Sequence, residues 1–241
     1  MSRIILITGA AKGIGKGIVE TLIKDKENFV IVNYNKSKKL AEEMKQEYGE
    51  RIEIYQADVS NRAEVKEMIE YIMLKYKKID VLINNAGISQ IKLFNDITNE
   101  EWDNMIKTNL TSMFYTIQET IDEMIKRKSG CIINISSVWG MVGGSCEVHY
   151  SAAKAGVIGM SKALAKELGP SNIRVNVIAP GDIQTDMNND LNEEDLEDIK
   201  METPLRKIGR PIDIARCVKW LIEDEFTTGQ VISPNGGWII N

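Results

Sequence analysis

Histidine is nearly absent: His149 is the only one in 241 residues. One imidazole excludes a His-rich metal site, and no metal is expected. A Ser-His-Asp hydrolase would have to use this residue. Cysteine is scarce too. Cys131, Cys146 and Cys217 form an odd, widely spaced set with no CxxC, which suits reduced thiols rather than a disulfide framework. No apolar run approaches the roughly 18 residues that would span a bilayer, and the run within MSRIILITGA is too short for a signal-peptide core. Positive charge is not in excess: 30 Lys+Arg against 35 Asp+Glu leaves −5, which offers no field to nucleic acid or anionic lipid. The expectation is a soluble cytoplasmic protein with neither a nucleic-acid nor a membrane partner.

The sequence does hold ample material for a core, with 43% hydrophobic and 27% charged residues. A folded chain of this size buries enough surface to dispense with staples. No linker, low-complexity stretch or repeat interrupts it, so residues 1–241 read as one domain. Short apolar strands are expected at Arg3–Thr8, Asn28–Asn33, Arg51–Gln56, Ile79–Asn84, Cys131–Ser136, Arg174–Ile178 and Gln230–Ser233. Between them, helical spacing covers Gly13–Lys24, Ser37–Tyr48, the stripe Val65 to Tyr76, a long stretch Asn99–Lys128, His149–Leu168 and Pro211–Ile222. Such alternation predicts an α/β fold, a Rossmann-type doubly wound parallel sheet of about seven strands with helices on both faces. Ligands in such folds bind beyond the carboxyl ends of the strands, so chemistry is expected after Thr8, Asn84, Ser136 and Ile178.

Thr8-Gly9-Ala10-Ala11-Lys12-Gly13-Ile14-Gly15 joins the first strand to its helix. Glycines there let the backbone turn tightly, and a helix N-terminus offers amide groups to a phosphate. The spacing is G-x3-G-x-G, so the match to G-x-G-x-x-G is approximate. Further along stand Asn84-Asn85-Ala86-Gly87, Ser137, Tyr150-Ser151-Ala152-Ala153-Lys154 and Pro180-Gly181, each at a strand end or opening a helix. In this order they resemble the short-chain dehydrogenase/reductase family over essentially the whole chain. The resemblance implies a dinucleotide-binding half of about residues 1–130, a catalytic half of about 131–241, and a homotetramer.

It also implies roles. Tyr150 would donate a proton to a substrate carbonyl as hydride arrives from nicotinamide. Lys154, one helical turn on, would tune that tyrosine and hold the ribose hydroxyls; an ammonium so near should lower a phenol's pKa. Ser137 would hydrogen-bond the carbonyl, and Asn109 would hold the water of a proton relay. Cofactor contacts are implied for Thr8, Gly9, Ala11, Lys12, Gly13, Ile14, Gly15, Asn33, Tyr34, Lys36, Ser37, Asp58, Val59, Asn85, Ala86, Gly87, Pro180, Gly181, Ile183 and Thr185, besides Tyr150 and Lys154. An acidic residue ending the second strand would bind ribose hydroxyls and repel a 2′-phosphate. Tyr34 aligns there, with Lys36, Ser37 and Lys38 following, so NADP(H) is favoured over NAD(H).

For the substrate, the runs NVIAPG, TDM and NGG are most similar to 3-oxoacyl-ACP reductases. Lys128 fits one of the basic residues that hold the carrier in those enzymes, whereas the other falls at Ser171. Glu147 and Asp182 put carboxylates near the pocket, which would favour a cationic substrate. Ser136 to Gly140, Ser145 to Tyr150 and Asn235 to Trp238 resemble a narrower group, the reductases of an aminopentanone attached to a lysine of bacterial elongation factor P. The reading leans slightly to that factor over acyl carrier protein. Steroid, sugar or polyol alcohols and a non-catalytic NADP(H)-binding redox sensor stay open. His149 is read as rim or core, and Glu193–Glu202 as either a substrate lid or a solvated helix.

Overall fold

Ile4, Ile5, Leu6 and Ile7 are all buried, and they divide by parity between two cores. Ile5 and Ile7 join Val30, Val32, Ile83, Ile133 and Ile135 on one face, against Ile18, Leu22, Ile214 and Val218. Ile4 and Leu6 join Ile31, Leu82, Ile132 and Val175 on the other, against Met68, Ile72, Ile117 and Met124. Successive strand residues point to opposite faces, so a continuously apolar strand needs cover on both sides. The computed structural model, which describes residues 2–186 and 192–240, supplies that cover with helices.

Among the described residues the strands are β1 (Arg3–Ile7), β2 (Asn28–Tyr34), β3 (Ile52–Gln56), β4 (Val81–Asn84), β5 (Gly130–Ile135), β6 (Ile173–Ile178) and β7 (Val231–Ile232). They form one seven-stranded sheet in the order β3-β2-β1-β4-β5-β6-β7. Every pairing is parallel. The expected fold class therefore stands. The order reverses between β1 and β4, which opens a crevice beyond their carboxyl ends.

The helices are α1 (Gly13–Leu22), α2 (Lys38–Tyr48), α3 (Arg62–Tyr76), α4 (Asn99–Ile106), α5 (Ser112–Arg127), α6 (Trp139–Val142), α7 (Val148–Leu168), α8 (Glu193–Glu202) and α9 (Pro211–Glu223). Their ends follow local chemistry. Asn61 caps α3 by accepting from the Ala63 N–H at 3.0 Å, and Lys77 ends it in the left-handed region at φ 67°. Thr98 and Glu101 cap α4 reciprocally, and Pro211 occupies the first turn of α9. No helix among the described residues is long and apolar enough to cross a membrane.

The long helical stretch expected over Asn99–Lys128 is present over residues 99–127. It stays helical throughout, as α4 and α5 joined by a widened π turn, Lys107–Thr111, which the periodicity did not reveal. The short α6 was not foreseen, because four residues carry too little periodicity to detect. The acidic stretch does form a helix, α8, which starts at Asn192; its side chain accepts from the Glu194 and Asp195 N–H groups.

Candidate active site

The turn after β1 is built against the end of β4. The Thr8 hydroxyl accepts from the Asn85 and Ala86 N–H groups at 3.0 and 3.1 Å. Asn85 returns its amide to the Thr8 and Gly9 carbonyls, both at 3.0 Å. Gly9 sits at φ 61°, and a Cβ on it would stand 2.8 Å from the Ala86 Cα. At Gly15 a Cβ would come within 2.6 Å of the Gly9 carbonyl oxygen. Both positions demand the missing side chain. The amino end of α1 has neither a side-chain cap nor an acidic residue in its first turn, which leaves its positive dipole end available to an anion.

The other residues expected to touch a cofactor fall into distinct surroundings. Asn33 is buried, accepts from the Gly9 N–H at 3.2 Å and donates to the Ala57 carbonyl at 3.0 Å, so its amide braces the turn rather than facing outward. Tyr34 is buried with Ala11 and Ala41. Ile183 packs its side chain into the core, and Ile14 lies partly buried against it. Lys36 is exposed and Ser37 half-buried at the start of α2. Asp58 accepts from the Ser60 N–H at 2.9 Å, beside buried Val59. Lys12 pairs with Asp186 at 3.2 Å, and the Thr185 methyl lies against Gly13. The Pro180 carbonyl accepts from the Val138 N–H at 3.0 Å, and Gly181 packs on Asn235. Of the TDM run, Met187 lies outside the described residues.

Ser137, Tyr150, Lys154 and Asn109 arrive from three elements and meet. Ser137 follows β5, and its Oγ accepts from the Trp139 N–H at 3.1 Å while also hydrogen-bonding Tyr150. Tyr150 and Lys154 lie one turn apart on α7, with the Lys154 Nζ 5.5 Å from the Tyr150 ring centroid. That Nζ is buried and donates to the Ile135 carbonyl at 3.0 Å. A Cβ on Gly87 would stand 2.5 Å from the Asn109 Oδ1 and 3.5 Å from the Lys154 Nζ, so these three converge. Asn109 is 0% exposed. Its Oδ1 accepts from the Ile88 N–H at 3.1 Å and its Nδ2 lies 3.0 Å from the Ile88 carbonyl. Sequence reading missed Ile88, because its contribution is backbone alone.

Electrostatics at this cluster depart from expectation. Lys154 was expected to lower the Tyr150 pKa. Burial instead pushes the Tyr150 phenol up to about 12, with the Glu147 charge adding to that and the Ser137 hydrogen bond opposing it. Burial pushes the Lys154 ammonium down to about 8. Desolvation disfavours the charged form of each and is the largest cause of both shifts. The proposed acidic rim also changes character. The Glu147 carboxyl is raised by burial, an effect that the neighbouring Trp139 side chain opposes. His149 is core: it is 0% exposed, and its Nε2 lies 3.0 Å from the Gln90 Oε1.

A protein-family model described as short chain dehydrogenase matches residues 3–196. The chain belongs to the short-chain dehydrogenase family. It is accordingly an oxidoreductase. A relative in Thermotoga maritima, "3-oxoacyl-[acyl-carrier-protein] reductase FabG", is 40% identical over 243 residues, covering 99% of this chain and 98% of the relative. A protein of the same name in Staphylococcus aureus (strain Mu50) is 41% identical over 242 residues, 98% of each chain. Among solved structures, ElxO with NADP bound superposes with a TM-score of 0.92 at 32% identity over 99% of both chains. A tyrosine-to-phenylalanine variant of ElxO with NADPH bound matches equally well. Within this family the arrangement around Tyr150 can hold a carbonyl oxygen between two hydroxyls and hand it a proton.

Proposed function

We propose that this short-chain dehydrogenase is a single-domain, NADP(H)-dependent ketoreductase that converts a carrier-linked 3-oxoacyl group to the 3-hydroxyacyl form. The observation that carries the reading is the convergence of Ser137, Tyr150, Lys154 and Asn109 at the carboxyl ends of β4 and β5. Its substrate follows the named relatives, all similar along almost their full length. They favour the acyl-carrier alternative over the elongation factor P reading.

The cradle fits a dinucleotide. The glycine turn of residues 8–15 leads into an uncapped helix end, and no carboxylate closes β2, where Tyr34 is buried and Lys36 is exposed beside it. That favours a 2′-phosphate, as does the NADP-bound neighbour. When bound, the cofactor supplies the hydride. Ser137 orients the ketone oxygen through its hydroxyl. Tyr150, kept protonated by burial, donates its proton to that oxygen. Lys154 stands behind the phenol, and Asn109 fixes the Ile88 segment where a proton can be resupplied.

The sign of the pH dependence follows. Tyr150 stays an acid across the physiological range, whereas Lys154 loses its charge as pH rises through about 8. Carbonyl reduction should therefore be level at neutral pH and fall above about 8, approaching tenfold per pH unit. A pH profile of kcat/KM checks this. Lys154→Arg should remove that limb from whatever activity remains, because a guanidinium keeps its proton; a wild-type profile flat to high pH would sink the assignment.

The deciding assay follows NADPH and NADH oxidation with 3-oxoacyl-ACP, aminopentanone-modified elongation factor P, and a panel of steroid, sugar and polyol ketones. Turnover of the carrier substrate with NADPH supports the proposal. Turnover of the modified factor alone returns the reading to that factor. Tight NADPH binding with no ketone turned over would make the chain a sensor. A homotetramer is part of the proposal, with light scattering as its check. Trp102 on α4 and Phe114 and Ile125 on α5 offer exposed apolar surface to a second copy.

A further inference from the structure

Two indoles are linked to the segment that follows Ser137. Trp139 is held in three ways. Its backbone N–H is tied to the Ser137 Oγ at 3.1 Å, its side chain stands near enough to the Glu147 carboxyl to favour the charged form, and its ring lies so close over Gly144 that a Cβ there would come within 2.8 Å. Trp238 meets it edge-on, with centroids 4.9 Å apart and planes at 64°. The Trp238 Nε1 donates to the Glu202 Oε2 at 3.3 Å, at the end of α8. Just beyond, the Leu205 N–H donates to the Gly236 carbonyl at 3.1 Å, and Gly237 packs on Pro204. These contacts run from the segment after Ser137 through two rings to the end of α8.

We infer that the Trp139–Trp238 pair is the end wall of the substrate pocket and restricts this enzyme to ketones with short chains beyond the carbonyl, such as 3-oxobutanoyl and 3-oxohexanoyl groups. The inference rests on the ketoreductase reading above. A ketone oxygen held by Ser137 and Tyr150 has two substituents. The polar, amide-bearing carrier arm leaves towards solvent. The alkyl tail turns to the apolar rings, and its length is set by where the wall stands. Displacing either ring breaks the edge-on contact, so a longer tail must pay before it can react.

The test is a chain-length ladder in two chemistries: 3-oxobutanoyl-CoA against 3-oxodecanoyl-CoA, and ethyl 3-oxobutanoate against ethyl 3-oxodecanoate, with NADPH. In the wild type, kcat/KM should favour the short member by about a hundredfold. Trp139→Ala and Trp238→Ala, each checked for a wild-type thermal melt, should raise the long-to-short ratio about tenfold or more. If Trp139→Ala fails to fold, Trp238→Ala alone decides. A wild-type ratio near one, or folded variants with an unchanged ratio, overturns the wall. Thioesters inert beside a steep ester ladder overturn the carrier reading and keep the wall. A flat ladder with fast thioester turnover does the reverse, and inertness of both series overturns both.

Discussion

Tyr150→Phe should abolish turnover while leaving a folded, NADPH-binding protein. The phenyl ring is retained, so the packing of α7 persists, and the Ser137 Oγ keeps its bond from the Trp139 N–H. Only the hydroxyl is lost. General acid catalysis by one positioned group contributes about 10²- to 10⁴-fold, and kcat should fall within or beyond that range. Stopped-flow NADPH oxidation under single-turnover conditions gives the rate, and quenching of tryptophan fluorescence on NADPH addition gives the Kd. A variant that retains more than about a tenth of wild-type kcat would place the acid elsewhere. The hydroxyl carries a pKa near 12, set first by burial, so the neutral phenol is the form at hand when a ketone arrives.

Asn109→Ala should damage both the fold and the chemistry. The amide accepts from the Ile88 N–H, donates within reach of the Ile88 and Met105 carbonyls, and is wholly buried. Truncation strands those backbone groups away from water, and each buried group left unsatisfied costs about 1–3 kcal/mol. An overall loss of about 3 kcal/mol or more in a urea titration is expected. Because Gly87 and Lys154 share the same corner, kcat should fall even under conditions where the variant is fully folded. Asn109→Asp separates the effects: it keeps the acceptor for the Ile88 N–H but loses the donor. Stability close to the wild type in Asn109→Ala would show that the widened turn does not depend on this side chain.

The fold was legible because its signal is repeated. Seven apolar strands separated by helical spacing specify a parallel sheet whatever the details of any one element. The Tyr150 and Lys154 pairing was legible for a similar reason, since an i, i+4 step puts two side chains on one face. What escaped were contacts made across sequence. Nothing local marks Ile88 as the partner of Asn109, or Gln90 as the partner of His149, because these pairs are 21 and 59 residues apart. The sign of the Tyr150 shift escaped as well, since desolvation depends on everything packed around α7. Trp139 and Trp238 were visible as residues, but their edge-on meeting requires the carboxyl-terminal turn to return beside Ser137.

The π turn at Lys107–Thr111 also settles a problem of phase. A regular helix advances about 100° per residue, so one rigid cylinder from Asn99 to Arg127 would fix the bearing of its second half by that of its first. One wide turn holds an extra residue and resets that bearing. Asn109 can then look towards the segment after β4, while Ile117 and Met124 look into the sheet. Excising a single residue between Lys107 and Thr111 would take that extra residue out of the turn. It would force the molecule to choose between its anchored asparagine and its seated helix.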